Sequence, residues 1–424
     1  MKSLLVKINN KLNIQGGFLK AVSVLVGGTV FAQLIGFIFL PILTRIYSPD
    51  DYSVLGVYIA IVSILSVISC FRFEVAIPIV KDDMKAKQLF LLAIIINFVI
   101  VLLLFCVVLF FEPLLKNIDF IRKMEWGLYL IPIGVFFSGI YLALQFWSTR
   151  KKNFHEIAKS RVNQAITGNG SSLIMGLMQY SFIGLIIGQL FNFGGGVIKL
   201  GLNAYSDLKK MPKTKLNELW GTFTEFSAYP KYSVPEALAN SAALQLPVII
   251  IGIFLTGPEV GFLYLAMRIL GIPMSLVGGA IGQVYISQAP AYFEERKLYI
   301  FSKNILIKLF KIAIIPFLLL ALLSPYAFGY IFGSQWADVG FYILIMVPWY
   351  FLHILTSPLS MSLHIIGKQK TALYLQLFNI LIRVVLLLLV CFVDKEMAVI
   401  YYCFSGFIFY FVYLLVISKS LREL

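Results

Sequence analysis

In the stretch Gln376–Arg383, QLFNILIR, a guanidinium stands in the middle of a segment that is otherwise hydrocarbon. Arginine is not deprotonated in proteins. A charge at the centre of a membrane helix costs at least about 2.5–3.5 kcal/mol on insertion scales. Gln376 and Asn379 precede Arg383 by two turns and one turn, so all three share one helical face. A planar cation flanked by amides can hold a phosphate through paired hydrogen bonds. The same cation tied to a neighbouring helix's carbonyls would be purely structural. The sequence leaves both readings open.

Other charges lie in comparable places. Arg268 falls about two turns from one end of an apolar run, with Tyr264, Gly271 and Ser275 on its face; it either snorkels to the interface or lines a polar hollow. Arg45, in PILTRIYSPDDY, is an interfacial anchor or part of the same lining. Arg72 and Glu74 occupy SCFRFEVAIPIV. Residues two apart on a continuous helix point to different sides, so each is expected to find its partner elsewhere. Glu74 is the one acid clearly embedded in an apolar run, which makes it the coupling-ion candidate. The substrate-binding candidates are Arg383, Arg268, Arg72, Arg45, Asn379 and Gln376. Embedded cations outnumber embedded acids, which suits an anionic ligand.

Polar residues also cluster in RVNQAITGNGSS, where Asn163, Gln164, Thr167, Asn169, Ser171 and Ser172 are too many to leave against lipid. Gln189, Asn192, Gly196 and Lys199 form a second stripe, and Thr29, Gln33 and Gly36 a third. Small residues let membrane helices approach closely, but the amides exceed what packing alone demands. Pro247, Pro273, Pro316, Pro348 and Pro358 are expected to break or kink later helices.

The elements that must position these residues are membrane helices. The chain of 424 residues is 60% hydrophobic and 13% charged, against roughly 25% charged in soluble domains. Its mean hydropathy is +0.90. At about 20 apolar residues per span, the sequence divides near 18–43, 52–79, 88–111, 126–147, 161–180, 182–204, 236–256, 260–288, 303–332, 338–366, 371–393 and 397–418. The fold class is an all-α integral membrane protein of about twelve transmembrane helices in two six-helix bundles. The bundles are residues 1–204 and 236–424, joined by a linker at 205–235.

Positive charges alternate across these spans. Lys81, Lys85 and Lys87, then Arg150, Lys151, Lys152 and Lys159, then Lys209, Lys210, Lys213, Lys215 and Lys231 fall on one side. Arg296, Lys297, Lys368, Lys370 and the basic termini join them. The opposite loops hold Arg45, Lys116, Arg122, Lys123 and Lys395. The rule that basic residues remain on the cytoplasmic side puts both termini in the cytoplasm of a multi-pass plasma-membrane protein. It also accounts for the net charge of +15 without a nucleic-acid partner.

Several chemistries are missing. There is no phosphate-cradling G-x-x-x-x-G-K-[ST], no H-E-x-x-H and no D-x-D pair. His155, His353 and His364 are scattered, and Cys70, Cys106, Cys391 and Cys403 sit in apolar runs as small buried hydrophobes. No metal, cofactor or catalytic residue is expected. No external loop is long enough to carry the catalytic site of a glycan polymerase.

FLPILTRIYSPDDYSVLGVYIAIVSILSV, followed by RFEVAIPI, resembles the opening of the bacterial polysaccharide flippases, the Wzx-type O-antigen translocases. GPEVGFLYLAMRILGIPMSLVGGAIGQVYISQAP resembles the matching signature of the second half. These flippases belong to the multidrug/oligosaccharidyl-lipid/polysaccharide (MOP) exporter superfamily. The resemblance implies a MATE-like pair of bundles around a central cavity. Its substrate would be an undecaprenyl-pyrophosphate-linked oligosaccharide, used for O-antigen, lipopolysaccharide or another surface polysaccharide. A polysaccharide polymerase and a chain-length regulator would be its partners. Arg45, Arg72, Glu74 and Arg268 fall inside the resembling motifs; Arg383 does not. The competing readings are a drug or cation antiporter of the same superfamily, a peptidoglycan-precursor flippase, and a membrane glycan polymerase.

Overall fold

Helix follows wherever the sequence supplies a long apolar run, because hydrocarbon offers no partner for an open backbone group. The computed structural model describes residues 17–255 and 257–423, and among these the regular structure is helical. Eleven segments are long and apolar enough to span a bilayer. The remaining expected span, Phe154–Leu177, is a helix of 24 residues whose polar side chains keep it out of that set. Together they match the expectation of about twelve.

The helix ends are capped by local chemistry. Asp51 Oδ2 accepts from the Ser48 amide at 2.9 Å and the Ser48 hydroxyl at 2.8 Å, while the Asp51 amide donates back to Ser48 Oγ at 3.2 Å. This reciprocal pair starts the helix Pro49–Ile68. Asp82 accepts from the Met84 amide at the head of Asp83–Leu115. A glycine at φ 107°, Gly333, ends the 35-residue helix Leu298–Phe332.

The described chain forms two compact units. One comprises the described residues up to Phe39 with Ile61–Ser241; the other comprises Leu40–Ala60 with the described residues from Ala242 onward. The sequence division placed the whole of residues 1–204 together, so the segment Leu40–Ala60 is a departure from it.

In the first unit the polar stripe of Phe154–Leu177 stitches that helix to Phe182–Gly194. Thr167 donates to the Phe191 carbonyl at 3.1 Å and Asn192 to the Gln164 carbonyl at 3.2 Å. A Cβ on Gly188 would sit 1.8 Å from Ser172 Oγ, so glycine is what allows this approach. Packing thus absorbs amides that seemed in excess of it. The region 205–235 is no free linker either. It includes the helix Leu216–Glu225, held to the start of Asp83–Leu115 by Thr222–Gln88 at 2.7 Å and Lys85–Glu225 at 2.6 Å. Buried Lys87 donates to the Pro212 carbonyl at 2.8 Å and the Leu208 carbonyl at 3.4 Å, a cation at the exposed carbonyl end of Val197–Lys209.

In the second unit, Pro49–Ile68 crosses Glu259–Pro273 at a point that tolerates no side chain. A Cβ on Gly261 would lie 2.0 Å from the Pro49 carbonyl oxygen. The Gly261 amide donates to Ser53 Oγ at 2.7 Å, and that hydroxyl reaches the Gly257 carbonyl at 3.1 Å. Gly261→Ala is therefore expected to destabilise the purified protein by about 1–3 kcal/mol, the usual cost of overpacking, seen as a lowered melting temperature. Gly170→Ala, where nothing lies within 4 Å, is expected to leave it unchanged. Equal melting of the two variants would contradict the close crossing.

Candidate functional site

The predicted polar residues fall into three separate places. The first is Arg383. The helix Gln369–Ile380 passes into a π turn, Leu381–Val385, before Leu386–Val393 continues. Such single wide turns recur at functional sites. The Tyr401 hydroxyl donates to the Ile382 carbonyl at 2.9 Å, satisfying a backbone oxygen within the turn. Arg383 itself is 0% exposed. Its guanidinium carbon lies 4.3 Å from the centre of the Trp349 ring and 4.6 Å from that of Tyr402. The two rings are themselves edge to face at 5.1 Å. Trp349 can occupy this place because Gly406 faces it: a Cβ there would meet the indole at 2.5 Å. Tyr350, His353 and Tyr410 complete the surroundings, with His353 stacked on Tyr410 at 4.3 Å.

The sequence left two readings of Arg383 open, a substrate-holding cation and one tied to a neighbouring helix's carbonyls. The cation is enclosed, and aromatic faces rather than carbonyls surround it. Asn379 is buried beside it in sequence and Gln376 is half-buried. None of these three is open to a bulky headgroup, which the first reading requires of Arg383. The aromatic partners escaped sequence reasoning because they come from distant helices, Val339–Thr356 and Ala398–Arg422. The density of polar-tipped aromatics in PWYFLH and YYCFSGFIFY is the signal that could have found them.

The second place holds Arg45 and Arg268, both in the second unit. Arg45 is exposed, and its Nη2 donates to the Tyr330 carbonyl at 3.1 Å. Beside it, Trp336 Nε1 donates to the Thr44 carbonyl at 2.7 Å. Trp336 packs edge-on against Tyr52 at 4.9 Å, and Tyr52 lies 6.3 Å from Tyr264. Arg268 is half-buried and acts electrostatically on both Tyr264 and Tyr52. The Tyr264–Arg268 face expected from one-turn spacing is present. Ser275 instead donates back to the Ile272 carbonyl at 2.9 Å, within a second π turn, Met274–Gly278.

The third place holds Arg72 and Glu74, in the first unit. The expectation that they are not partners is wrong: Arg72 Nη1 lies 3.8 Å from Glu74 Oε1. The reason is a break in the helix. Pro49–Ile68 stops before them, Phe71 and Arg72 take left-handed backbone angles at φ 49° and 63°, and a new short helix begins at Phe73. The spacing rule for a continuous helix no longer applies. Glu74 lies between the spans Pro49–Ile68 and Asp83–Leu115 and is 2% exposed. Burial pushes its carboxyl up to about 7, opposed by its own backbone amide and by Arg72.

Two further cations belong to the first unit, Arg150, counted in the sequence only as a topological charge, and Arg161, not singled out there. Arg150 binds Asp83 at 2.6 Å and the carbonyls of Ile77, Val80 and Lys81. Arg161 donates to the Thr29 hydroxyl. Both serve the framework of the first unit. Among the described residues no group of His, Cys, Asp and Glu could hold a metal.

The comparisons agree with this architecture. Residues 42–340 match the family described as "Polysaccharide biosynthesis protein". No curated protein sequence matches. Among solved structures, an inward-closed lipid II flippase MurJ is similar at a TM-score of 0.69 and 15% identity, over 92% of this chain and 86% of that one. An inward-facing multidrug resistance MATE family transporter of the MOP superfamily is similar at a TM-score of 0.61 and 12% identity, over 94% and 95%. A MOP superfamily transporter from Pyrococcus furiosus gives 0.58 and 12%, over 95% and 96%. At such identities these likenesses speak for the fold. The matched segment covers most of the chain and contains Arg45, Arg72, Glu74 and Arg268, and on it the chain belongs to the polysaccharide biosynthesis protein family, built on the MOP exporter fold that its motifs resemble.

Proposed function

We propose that this protein is a flippase, a transporter and not an enzyme. It carries a lipid-linked oligosaccharide, an undecaprenyl-pyrophosphate-linked repeat unit, across the bacterial plasma membrane by alternating access. The observation that carries the reading is the family match over residues 42–340. A family of polysaccharide biosynthesis on a transporter fold has a membrane to cross and a lipid-borne glycan to move. The likeness to a lipid II flippase supports a lipid-linked substrate. Both termini lie in the cytoplasm, and the glycan passes to a polymerase with its chain-length regulator.

Arg45 and Arg268 are the residues that handle the diphosphate. They share one unit, retain exposure, and keep donors free of carboxylate partners among the described residues. Arg72 is paired with Glu74 and contributes through that pair. Glu74 is the coupling site. Its carboxyl changes charge near neutral pH, so a proton can be taken up on one side and released on the other.

Two experiments test these assignments. In a strain lacking the gene, the wild-type protein is expected to restore full-length surface polysaccharide. The double variant Arg45→Ala/Arg268→Ala, at equal membrane abundance, is expected to restore it roughly tenfold less or worse, since each charge-assisted contact is worth about 1.5–3 kcal/mol. Undiminished export by that variant would contradict the assignment. For Glu74, the native carboxyl holds its proton up to about 7, above the usual value of 4.5. In that window the folded protein binds a proton the unfolded chain has lost, so stability falls as pH rises. The melting temperature is expected to decline from about pH 5 to about pH 8 through this group, and Glu74→Gln is expected to flatten the decline and to remove the dependence of export on the proton gradient. An unchanged pH profile would overturn the role.

A further inference from the structure

The guanidinium of Arg383 is the most unusual group in the second unit. It is 0% exposed, and none of Nε, Nη1 and Nη2 makes a well-formed hydrogen bond among the described residues, the Tyr402 hydroxyl being its one side-chain oxygen neighbour to act on it as a hydrogen-bond partner. No described carboxylate pairs with it; the groups that feel its charge are Tyr350, His353, Tyr402, Cys403 and Tyr410. Two of the other unpartnered buried polar atoms in this unit lie close to it in structure or sequence: Trp349 Nε1, on the ring the guanidinium stacks against, and Asn379 Oδ1, one turn earlier on the same chain segment.

The inventory leans to one sign. Arg383 Nε, Nη1 and Nη2 and Trp349 Nε1 are donors, against the one acceptor Asn379 Oδ1. Stacking on two rings offsets part of the cost of burying the cation, but a ring face leaves the in-plane N–H groups unused. A buried cation without a counter-charge is strongly destabilising. An acceptor bearing one negative charge would answer both deficits at once.

We propose that this aromatic cage is a binding site for a small monovalent anion of the halide class, held by the in-plane donors of Arg383 with Trp349 Nε1. One positive charge calls for one negative charge, which disfavours phosphate and diphosphate. Walls made of Trp349, Tyr350, Tyr402 and Tyr410 favour a weakly hydrated ion, which loses less on leaving water than a strongly hydrated one and is compensated by pairing with the guanidinium. The enclosure excludes a lipid headgroup, so the site is distinct from the one assigned to Arg45 and Arg268. The ion would set the position of the π turn Leu381–Val385 between the helices Val339–Thr356 and Ala398–Arg422.

The test uses the full chain, purified, with gluconate replaced by chloride or bromide at constant ionic strength. Halide is expected to raise the melting temperature by about 2–4 °C through binding to the folded state. Arg383→Met is expected to abolish that shift. Trp349→Phe, which keeps a ring and removes the Nε1 donor, is expected to reduce it by at least half. Crystals grown in bromide are expected to show an anomalous peak within hydrogen-bond distance of Arg383. A halide-indifferent melting temperature with no such peak would overturn the proposal, as would a shift that persists undiminished in Arg383→Met. Should Arg383→Met fail to fold, the Trp349→Phe response and the bromide map decide: a full shift in that variant with no peak at the cage counts against the site.

Discussion

A polar group in hydrocarbon has no water to turn to, and the arrangement of this chain follows from how each buried charge is answered. Three solutions recur. Arg383 lies against aromatic faces, 4.3 Å from Trp349 and 4.6 Å from Tyr402. Lys87 and Arg150 sit on backbone carbonyls that helix ends leave unpaired. Arg72 takes the carboxylate of Glu74. The second solution builds the framework. The first and third leave charge partly unanswered, because Arg383 retains three nitrogens without a well-formed hydrogen bond and Glu74 Oε2 accepts nothing among the described residues. Those incomplete answers are where ligand or proton chemistry has room to act.

Much of the architecture was readable from hydropathy and capping residues. Apolar runs of the right length marked the spans, Ser48-Pro49-Asp50-Asp51 marked a helix start, and the polar break at Gln179–Ser181 marked the turn between Phe154–Leu177 and Phe182–Gly194. Periodicity failed where the backbone left the regular helix. Neither Phe71 nor Arg72 is glycine or asparagine, yet both take left-handed angles, so nothing local announced the break that lets Arg72 meet Glu74. The π turns at Met274–Gly278 and Leu381–Val385 shift side chains around the axis in the same silent way.

The candidate site was legible residue by residue but not in its grouping. Which charges were embedded followed from their position in apolar runs. Their partners did not, because Trp349 and Tyr402 reach Arg383 from helices separated from it in sequence. The amides of Phe154–Leu177 mislead for a related reason. Counting them suggests a wet surface, whereas the glycines opposite them, Gly188 above all, draw the helices close enough for the Thr167 hydroxyl to reach the Phe191 carbonyl and for Asn192, on the facing helix, to reach the Gln164 carbonyl, while Asn169 donates to the Ala165 carbonyl of its own helix.

Membership in a polysaccharide biosynthesis family and the likeness in fold to MOP exporters are what the proposed transport of a membrane-borne glycan rests on. On the proposed function, exposed Arg45 and half-buried Arg268 would meet a diphosphate, and the buried carboxyl of Glu74 would serve proton coupling. The most direct measurement is translocation by the purified protein in proteoliposomes loaded with a fluorescent polyprenyl-diphosphate oligosaccharide. The account predicts that the protein makes the inner-leaflet glycan accessible to a membrane-impermeant glycosidase added outside. Accessibility equal to that of protein-free vesicles, alongside efflux of a cationic dye, would contradict it.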